Sequence, residues 1–210
     1  MIMSSFIAQI RKSVEENIEV KQRLLLDHCQ VIEQIAREMI QTLKEGNKII
    51  LFGNGGSAAD AQHIAAELMG RFAAQRPSLP AIALTANTST LTAIGNDFGY
   101  EFIFSRQVEG IARHGDLVIG ISTSGKSPNV LRGIQAAKQM GIKTASFVGA
   151  NGGPIGKEAD LSFVVPSHNT QRIQETHIMV GHILCELIEG ALVHGSRENK
   201  IDDRTASSYC

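Results

Sequence analysis

The sequence has little that would direct the chain to a membrane, to nucleic acid or to an oxidising compartment. Its 20 lysines and arginines nearly balance 21 aspartates and glutamates, and a net charge of −1 provides no basic surface for nucleic acid or anionic lipid. No uninterrupted apolar run approaches the ~18 residues of a membrane span, and no signal-peptide core is found. The three cysteines, Cys29, Cys185 and Cys210, lack disulfide or metal-ligand spacing. These features predict a reduced, cytoplasmic protein.

The composition also lacks the marks of disorder and of repeats. With 43% hydrophobic and 20% charged residues, 210 residues suffice for one globular domain with a normal core. No fixed-period repeat and no proline-rich or serine-rich linker divides the chain. We therefore predict a single domain over residues 1–197, with N-terminal helices at about 4–26 and 28–45. A polar tail over 198–210 is expected to be disordered.

Short apolar runs alternate with helical segments from residue 48 onwards. Alternation of this kind predicts an α/β fold with a parallel sheet covered on both faces. The predicted strands are Lys48–Phe52, Ala81–Leu84, Leu117–Ile121, Thr144–Val148 and Leu161–Val165. The predicted helices lie near 57–72, 88–95, 101–113, 127–140 and 170–194.

The stretch Ile49–Glu67 reads as a strand, a glycine turn and a helix. Glycine lets the backbone approach a ligand, and Ser57 is the predicted N-cap, so helix amides and the helix dipole would favour an anion. His63 and Glu67 lie one turn apart on the same face of that helix. Such a turn is often only a turn, and a single His or Glu on a helix is more often solvated than catalytic.

A second loop, Ser122–Asn129, follows the third predicted strand. Its hydroxyls and the start of a helix, with Ser127 as N-cap and Pro128 as first residue, favour phosphate binding. Residues 120–127 also match the nucleotide-binding pattern G-x-x-x-x-G-K-[ST]. A nucleotide site is disfavoured because Asp116 and Asp160 precede their strands, whereas a Mg²⁺ ligand would follow one.

The last predicted helix carries polar residues on an apolar background. Gln174 and His182 share a broad face, about 80° apart at ~100° per residue. A single histidine here would be interpreted as a core residue, but His177 and His182 together favour a functional site.

Four segments in order carry a family resemblance. They are GNGGSAADAQHIAAE (53–67), TAIGNDFG (92–99), ISTSGKSPNV (121–130) and RIQETHIMVGHIL (172–184). The chain resembles the sugar isomerase (SIS) domain family and, within it, the bacterial phosphoheptose isomerases. The resemblance implies a doubly wound, five-stranded parallel sheet flanked by helices. Lys126 departs from the small polar residue that the family often carries.

The resemblance also implies a function. It implies conversion of sedoheptulose 7-phosphate to D-glycero-D-manno-heptose 7-phosphate through an enediol, as the first step of ADP-heptose synthesis for lipopolysaccharide. Glu67 and His182 would be the acid/base pair, and one Zn²⁺ per subunit would be held by His63, Glu67, Gln174 and His182. The implied assembly is a homotetramer. Substrate contacts would come from Asn54, Gly55, Gly56, Ser57, Glu67, Asn96, Asp97, Ser122, Thr123, Ser124, Ser127 and Gln174.

Two alternatives and one geometric hypothesis remain at this point. Some SIS proteins are non-catalytic adaptors of the replication initiator DnaA, and Arg76–Leu84 resembles that branch, which however lacks the acid/base pair. SIS-type sensors usually carry a separate DNA-binding domain, for which this chain has no room. Because Gln174 and His182 lie ~12 Å apart along a helix axis, we expect more than one subunit to complete the site.

Overall fold

The sheet organises the molecule, and helices cover both of its faces. The computed structural model describes the backbone of residues 2–206 and the side chains of residues 6–193. The strands are β1 (Ile49–Gly53), β2 (Ala81–Ala83), β3 (Leu117–Ser122), β4 (Lys143–Gly149) and β5 (Leu161–Val165). The helices are α1 (Ile2–Asp27), α2 (Cys29–Lys44), α3 (Gly56–Met69), α4 (Thr88–Asp97), α5 (Ser105–Ile111), α6 (Pro128–Gln139), α7 (Gly153–Glu158) and α8 (Thr170–Ala206).

The five strands form one parallel sheet in the order β2-β1-β3-β4-β5. The predicted α/β class and parallel sheet are confirmed, with strand boundaries shifted by one residue at most. The strands β1 and β3 are buried along their whole length, as apolar central strands of a parallel sheet are. The chain leaves β1 towards β2 on one side and returns to β3 on the other. The gap between β1 and β3 is therefore the topological switch point, where open α/β sheets bind ligands at the carboxyl ends of their strands.

Two apolar cores lie on the two faces of the sheet. One joins the sheet to α1, α2, α3 and α8, and includes Ile35, Met39 and Leu68. The other joins it to α5, α6 and α7, and includes Phe52 and Phe104, whose rings stack at a centroid distance of 4.9 Å. The amphipathic sequence of α2 explains its position, since its apolar side faces the sheet.

The helix α7 was not predicted from the sequence. It is only six residues long, and a left-handed Gly152 precedes it. Such a short segment has no apolar period that could be recognised. The predicted helix over 101–113 is also wrong in part, because a 3-10 turn at Tyr100–Phe102 precedes α5.

The last helix is longer than the sequence suggested. The predicted helix ends at 194, whereas α8 continues to Ala206, and residues 207–210 lie outside the described residues. Disorder of the 198–210 tail and the domain boundary at 197 remain predictions. By length and composition Thr170–Val193 could also cross a membrane, although no uninterrupted apolar run of that length is present. A core helix passes the same test, and α8 supplies Val180, Leu184 and Ile188 to the core.

Candidate functional site

The glycine turn after β1 is built differently from the sequence prediction. Gly55, not Ser57, is the N-cap of α3, and its φ of 54° favours glycine. The helix consequently begins at Gly56, two residues earlier than expected from a serine cap. Ser57 is buried, and its amide donates to the carbonyl of Asn54 at 3.0 Å. Ser57 therefore stabilises the turn from inside.

The serine loop after β3 lies beside that turn. Gly53 at the end of β1 pairs with Ile121 of β3, so both loops leave the same edge of the sheet at the switch point. Ser127 is the N-cap and Pro128 the first residue of α6, as predicted. The hydroxyls of Ser122 and Ser127 lie 3.0 Å apart, which closes the loop around Thr123 and Ser124.

The nucleotide-loop pattern receives no support from the neighbouring carboxylates. Asp116 and Asp160 lie before β3 and β5, at the opposite edge of the sheet. Asp116 accepts from the ammonium of Lys48 at 2.6 Å, and Asp160 accepts from the hydroxyl of Thr144 at 2.8 Å. Both carboxylates are thus engaged in the fold, away from the serine loop.

A second polar cluster was missed from the sequence. The amides of Asn54 and Asn129 bond each other in both directions at 2.9 Å, and the Tyr100 hydroxyl donates to Asn54 Oδ1 at 3.1 Å. A cavity of about 470 Å³ opens beside them. Asn129 stands in the quoted 121–130 segment, but its partner is 75 residues away. The pair fixes the side chain of Asn54 at the rim of the glycine turn.

Asn96 and Asp97 lie apart from these contacts. Both are exposed at the end of α4, and the Asn96 amide donates to the Asp97 carboxylate at 2.8 Å. Tyr100, three residues later, connects this segment to Asn54. Their predicted substrate contacts remain a prediction.

His63, Glu67 and His182 converge on one point. His63 Nε2 lies 3.2 Å from Glu67 Oε1 and 3.1 Å from His182 Nε2. One ligand atom from each of the three lies within 4.8 Å of the other two. The first two side chains come from one face of α3 and the third from α8, which packs against it. The predicted i, i+4 pair therefore meets its partner from the last helix.

Asp60 lies one turn before His63 on α3 and was not singled out from the sequence. Burial raises the pKa of its carboxyl to about 6, although the charge of His63 lowers it. Its Oδ2 atom is buried and has no hydrogen-bond partner among the residues that the structure describes. A half-buried carboxyl of this kind adds a further titratable group beside the cluster.

Gln174 lies against the glycine turn. An ideal Cβ at Gly56 would fall 2.1 Å from Gln174 Nε2, so only glycine leaves room for the amide there. Gln174 precedes His182 by two turns of α8, about 12 Å along the axis. Three of the four predicted metal ligands, His63, Glu67 and His182, meet within one chain. The expectation that another subunit completes the site therefore remains only for Gln174.

His177 is a core residue, and its interpretation as part of the site is wrong. It is fully buried, and its Nε2 lies 3.2 Å from the carbonyl of Val148. Burial lowers its pKa to about 4, although the Val148 hydrogen bond raises it. His177 lies about 140° around α8 from His182 at ~100° per residue, so it faces the sheet instead of α3.

Comparisons with known proteins agree with this arrangement. The SIS domain model matches residues 7–149. The phosphoheptose isomerase of Aquifex aeolicus is 54% identical over 183 residues, which is 87% of this chain and 96% of the relative. The chain belongs to the phosphoheptose isomerase branch of the SIS domain family.

Solved structures of this branch share the fold. GmhA from Neisseria gonorrhoeae is 40% identical, with a TM-score of 0.84 over 88% of this chain and 99% of the other. The Francisella tularensis phosphoheptose isomerase is 35% identical, with a TM-score of 0.85 over 88% and 98%. The predicted family and its doubly wound, five-stranded fold are thus confirmed. The DnaA adaptor alternative receives no support from these relatives.

Proposed function

We propose that the chain converts sedoheptulose 7-phosphate to D-glycero-D-manno-heptose 7-phosphate, and so begins ADP-heptose synthesis for lipopolysaccharide. The observation that carries this proposal is the convergence of His63, Glu67 and His182 on α3 and α8, where α3 is the helix that begins at the glycine turn. The names of the relatives, phosphoheptose isomerases, supply the substrate class of a phosphorylated heptose.

The reaction needs two proton transfers, which Glu67 and His182 supply. One proton moves between C1 and C2 of the sugar through an enediol, and another moves between the two oxygens. A carboxylate and an imidazole can each accept and return a proton near neutral pH. Glu67 is partly exposed, with 27% of its side chain accessible, so a bound sugar can reach it.

The cluster fits one Zn²⁺. Ligand atoms around tetrahedral Zn²⁺ with ~2.1 Å bonds lie about 3.4 Å apart, close to the 3.1 and 3.2 Å separations measured from His63 Nε2. That nitrogen carries either a proton or a lone pair, so it cannot donate to Glu67 and accept from His182 at once. A cation would satisfy all three atoms. A bound ion would polarise the sugar carbonyl. Gln174 is proposed as the fourth ligand, supplied by another subunit because it lies about 12 Å along α8 from His182.

The two loops are proposed to hold the phosphorylated sugar. Asn54, Gly55 and Gly56 would contact it from the start of α3, where helix amides favour an anion. Hydroxyl groups would contact it from the serine loop, supplied by Ser122, Thr123, Ser124 and Ser127. Ser57 is proposed to act through the turn, since it is buried. Asn96, Asp97, Glu67 and Gln174 complete the proposed set.

A homotetramer with sites at subunit interfaces is part of the proposal. One side of α1 exposes large apolar residues, among them Phe6, Ile10 and Val14, each more than half exposed. These residues line a groove of about 620 Å³ against Arg172 and Glu175 of α8. An apolar stripe of this length is typical of helices that pack on another subunit. The net charge of −1 and the lack of disulfide spacing among the cysteines favour a cytoplasmic enzyme without nucleic-acid or membrane partners.

The test is turnover of sedoheptulose 7-phosphate by the purified protein, with and without chelator and added Zn²⁺. Glu67→Gln should abolish turnover while keeping the fold, because only a proton-accepting oxygen is changed. Glu33→Gln, an exposed glutamate on α2, is the matched control. A folded wild-type protein without turnover under any metal condition would contradict the proposal. It would favour the adaptor function, to be tested by binding to DnaA.

A further inference from the structure

The loop between α3 and β2 is held by one buried carboxylate on α8. Glu189 has a side chain that is only 6% exposed. It accepts hydrogen bonds from the amides of Phe72 at 3.2 Å, Ala73 at 2.8 Å and Ala74. Three consecutive amides bonded to one carboxylate fix the backbone of this segment, which we call the 70–76 loop.

Arg76 joins that carboxylate to the end of α3. Its Nε donates to Glu189 at 2.9 Å, and its Nη atoms donate to the carbonyls of Glu67 at 2.7 Å and Leu68 at 2.8 Å. Burial raises the pKa of Glu189, but the amides and Arg76 outweigh burial and hold it below its usual range. Glu189 is therefore charged at neutral pH, and each charge of the buried pair has its partner.

The same loop also contacts His182. The ring centroids of Phe72 and His182 lie 5.8 Å apart. Glu189 follows His182 by seven residues, or two turns, on the same side of α8. The loop thus bonds the backbone of Glu67 through Arg76 and contacts the ring of His182 through Phe72.

We propose that the Arg76–Glu189 pair is a positioning element that fixes the separation of Glu67 and His182. A buried ion pair contributes little net stability compared with well-packed apolar residues, because desolvation offsets its attraction. What such a pair supplies here is a single arrangement of α3, the loop and α8. Mutation of a group that orients a metal ligand or a catalytic side chain typically lowers metal affinity or activity about 10–100-fold. This inference rests on the proposed function.

The position of Arg76 also bears on the segment 76–84, whose sequence resembles the adaptor branch. It gives this segment a structural role within the chain. The Arg76 side chain is 4% exposed and directed inward, so it offers no charge to a partner protein. The segment instead leads into β2.

The test compares Glu189→Gln with Asp116→Asn, a matched control that binds the segments before β1 and β3 instead of the 70–76 loop. Asp116 is also buried, and it accepts from the amides of Lys48 and Arg113 and from the Lys48 ammonium. Both variants should lower the melting temperature. Only Glu189→Gln should raise the Zn²⁺ dissociation constant and lower kcat, each by about 10–100-fold. The KM should change little, because the two loops proposed to bind the phosphorylated sugar lie at the starts of α3 and α6, away from Glu189.

Two further variants keep the test decisive if Glu189→Gln does not fold. Arg76→Lys keeps the charge but cannot bond Glu189 and both carbonyls together, so it should show a smaller loss of the same kind. Phe72→Leu removes only the ring beside His182 and should lower kcat without a large change in melting temperature. Equal Zn²⁺ affinity and kcat in these variants and in Asp116→Asn would overturn the positioning role.

Hydrogen exchange separates this inference from the proposed function. Segments 64–68 and 180–184 carry Glu67 and His182, and both should exchange faster in Glu189→Gln than in Asp116→Asn. A wild-type protein that neither turns over the sugar nor binds Zn²⁺ would refute the proposed function alone. Unchanged exchange in both segments would then refute the positioning role.

Discussion

Replacing Gly56 by alanine tests the close approach between the glycine turn and α8. The new Cβ would lie 2.1 Å from Nε2 and 2.9 Å from Cδ of Gln174, whereas ordinary contacts begin at 3.4 Å. The Gln174 amide would therefore have to move by at least about 1 Å. It can do so by rotating, since it is the end of a flexible side chain.

The expected effect on stability is small. Gly56 is the first residue of α3, and alanine is favoured over glycine in helices by up to ~1 kcal/mol. The expected effect on activity is large, because misplacing a substrate-positioning group by 1 Å costs about 100-fold, or ~2.7 kcal/mol of transition-state stabilisation. Gly56→Ala should thus keep its melting temperature within a few degrees and lose about 100-fold in kcat/KM.

The assay is turnover of sedoheptulose 7-phosphate beside thermal unfolding. Gly110→Ala in α5 is the matched control, because a Cβ there meets nothing within 4 Å. This control should keep full activity. Full activity in Gly56→Ala would refute the role of Gln174 at the turn. A melting temperature lowered by more than ten degrees would refute the argument that the amide can move aside.

Three other predictions concern pH, assembly and metal. Because His177 has a pKa of about 4 in the fold against 6.5 unfolded, stability should fall by about 3 kcal/mol as the pH falls from 6.5 to 4. His177→Phe should remove much of this dependence in denaturant unfolding. Ile10→Glu on the exposed face of α1 should dissociate the proposed tetramer in light scattering, while Lys12→Glu, a charge change on the same helix, should not. Zn²⁺ should raise the melting temperature of wild type but not of His63→Gln, and an equal rise in both would contradict the cluster as the metal site.

The sequence predicts the fold well because the relevant signals are local. Fully apolar runs such as Ile49–Phe52 indicate buried parallel strands, and the amphipathic period of 28–45 indicates a surface helix. The i, i+4 pair His63 and Glu67 is equally local, since one helical turn brings them together. Each of these features needs only a few neighbouring residues to be recognised.

What the sequence does not predict depends on distant residues. Arg76 and Glu189 are 113 residues apart, and Asn54 and Asn129 are 75 apart. No periodic pattern joins such pairs. The prediction of Ser57 as the N-cap is wrong for a different reason. Serine is a usual N-cap, but this turn needs a residue with positive φ, which Gly55 provides.

His177 and His182 show how the same residue type on one helix acquires two different properties. His177 faces the sheet, where burial keeps it neutral and its ring packs against Phe147. His182 faces α3, where it meets His63 and Glu67. Composition alone makes both of them candidates, and only their directions around α8 separate a core residue from a ligand.

The polar groups of the fold divide in a similar way. At the amino edge, Asp116 and Asp160 are satisfied by neighbouring amides and side chains. On α3, Asp60 has an oxygen without a partner among the described residues, and between α3 and α8 His63 and His182 direct ring nitrogens at each other. Polar groups that the fold satisfies stabilise it, whereas groups left with spare bonding capacity can bind a ligand. Because the incompletely satisfied histidines meet between α3 and α8, the acid/base chemistry of the chain belongs to the contact between these two helices.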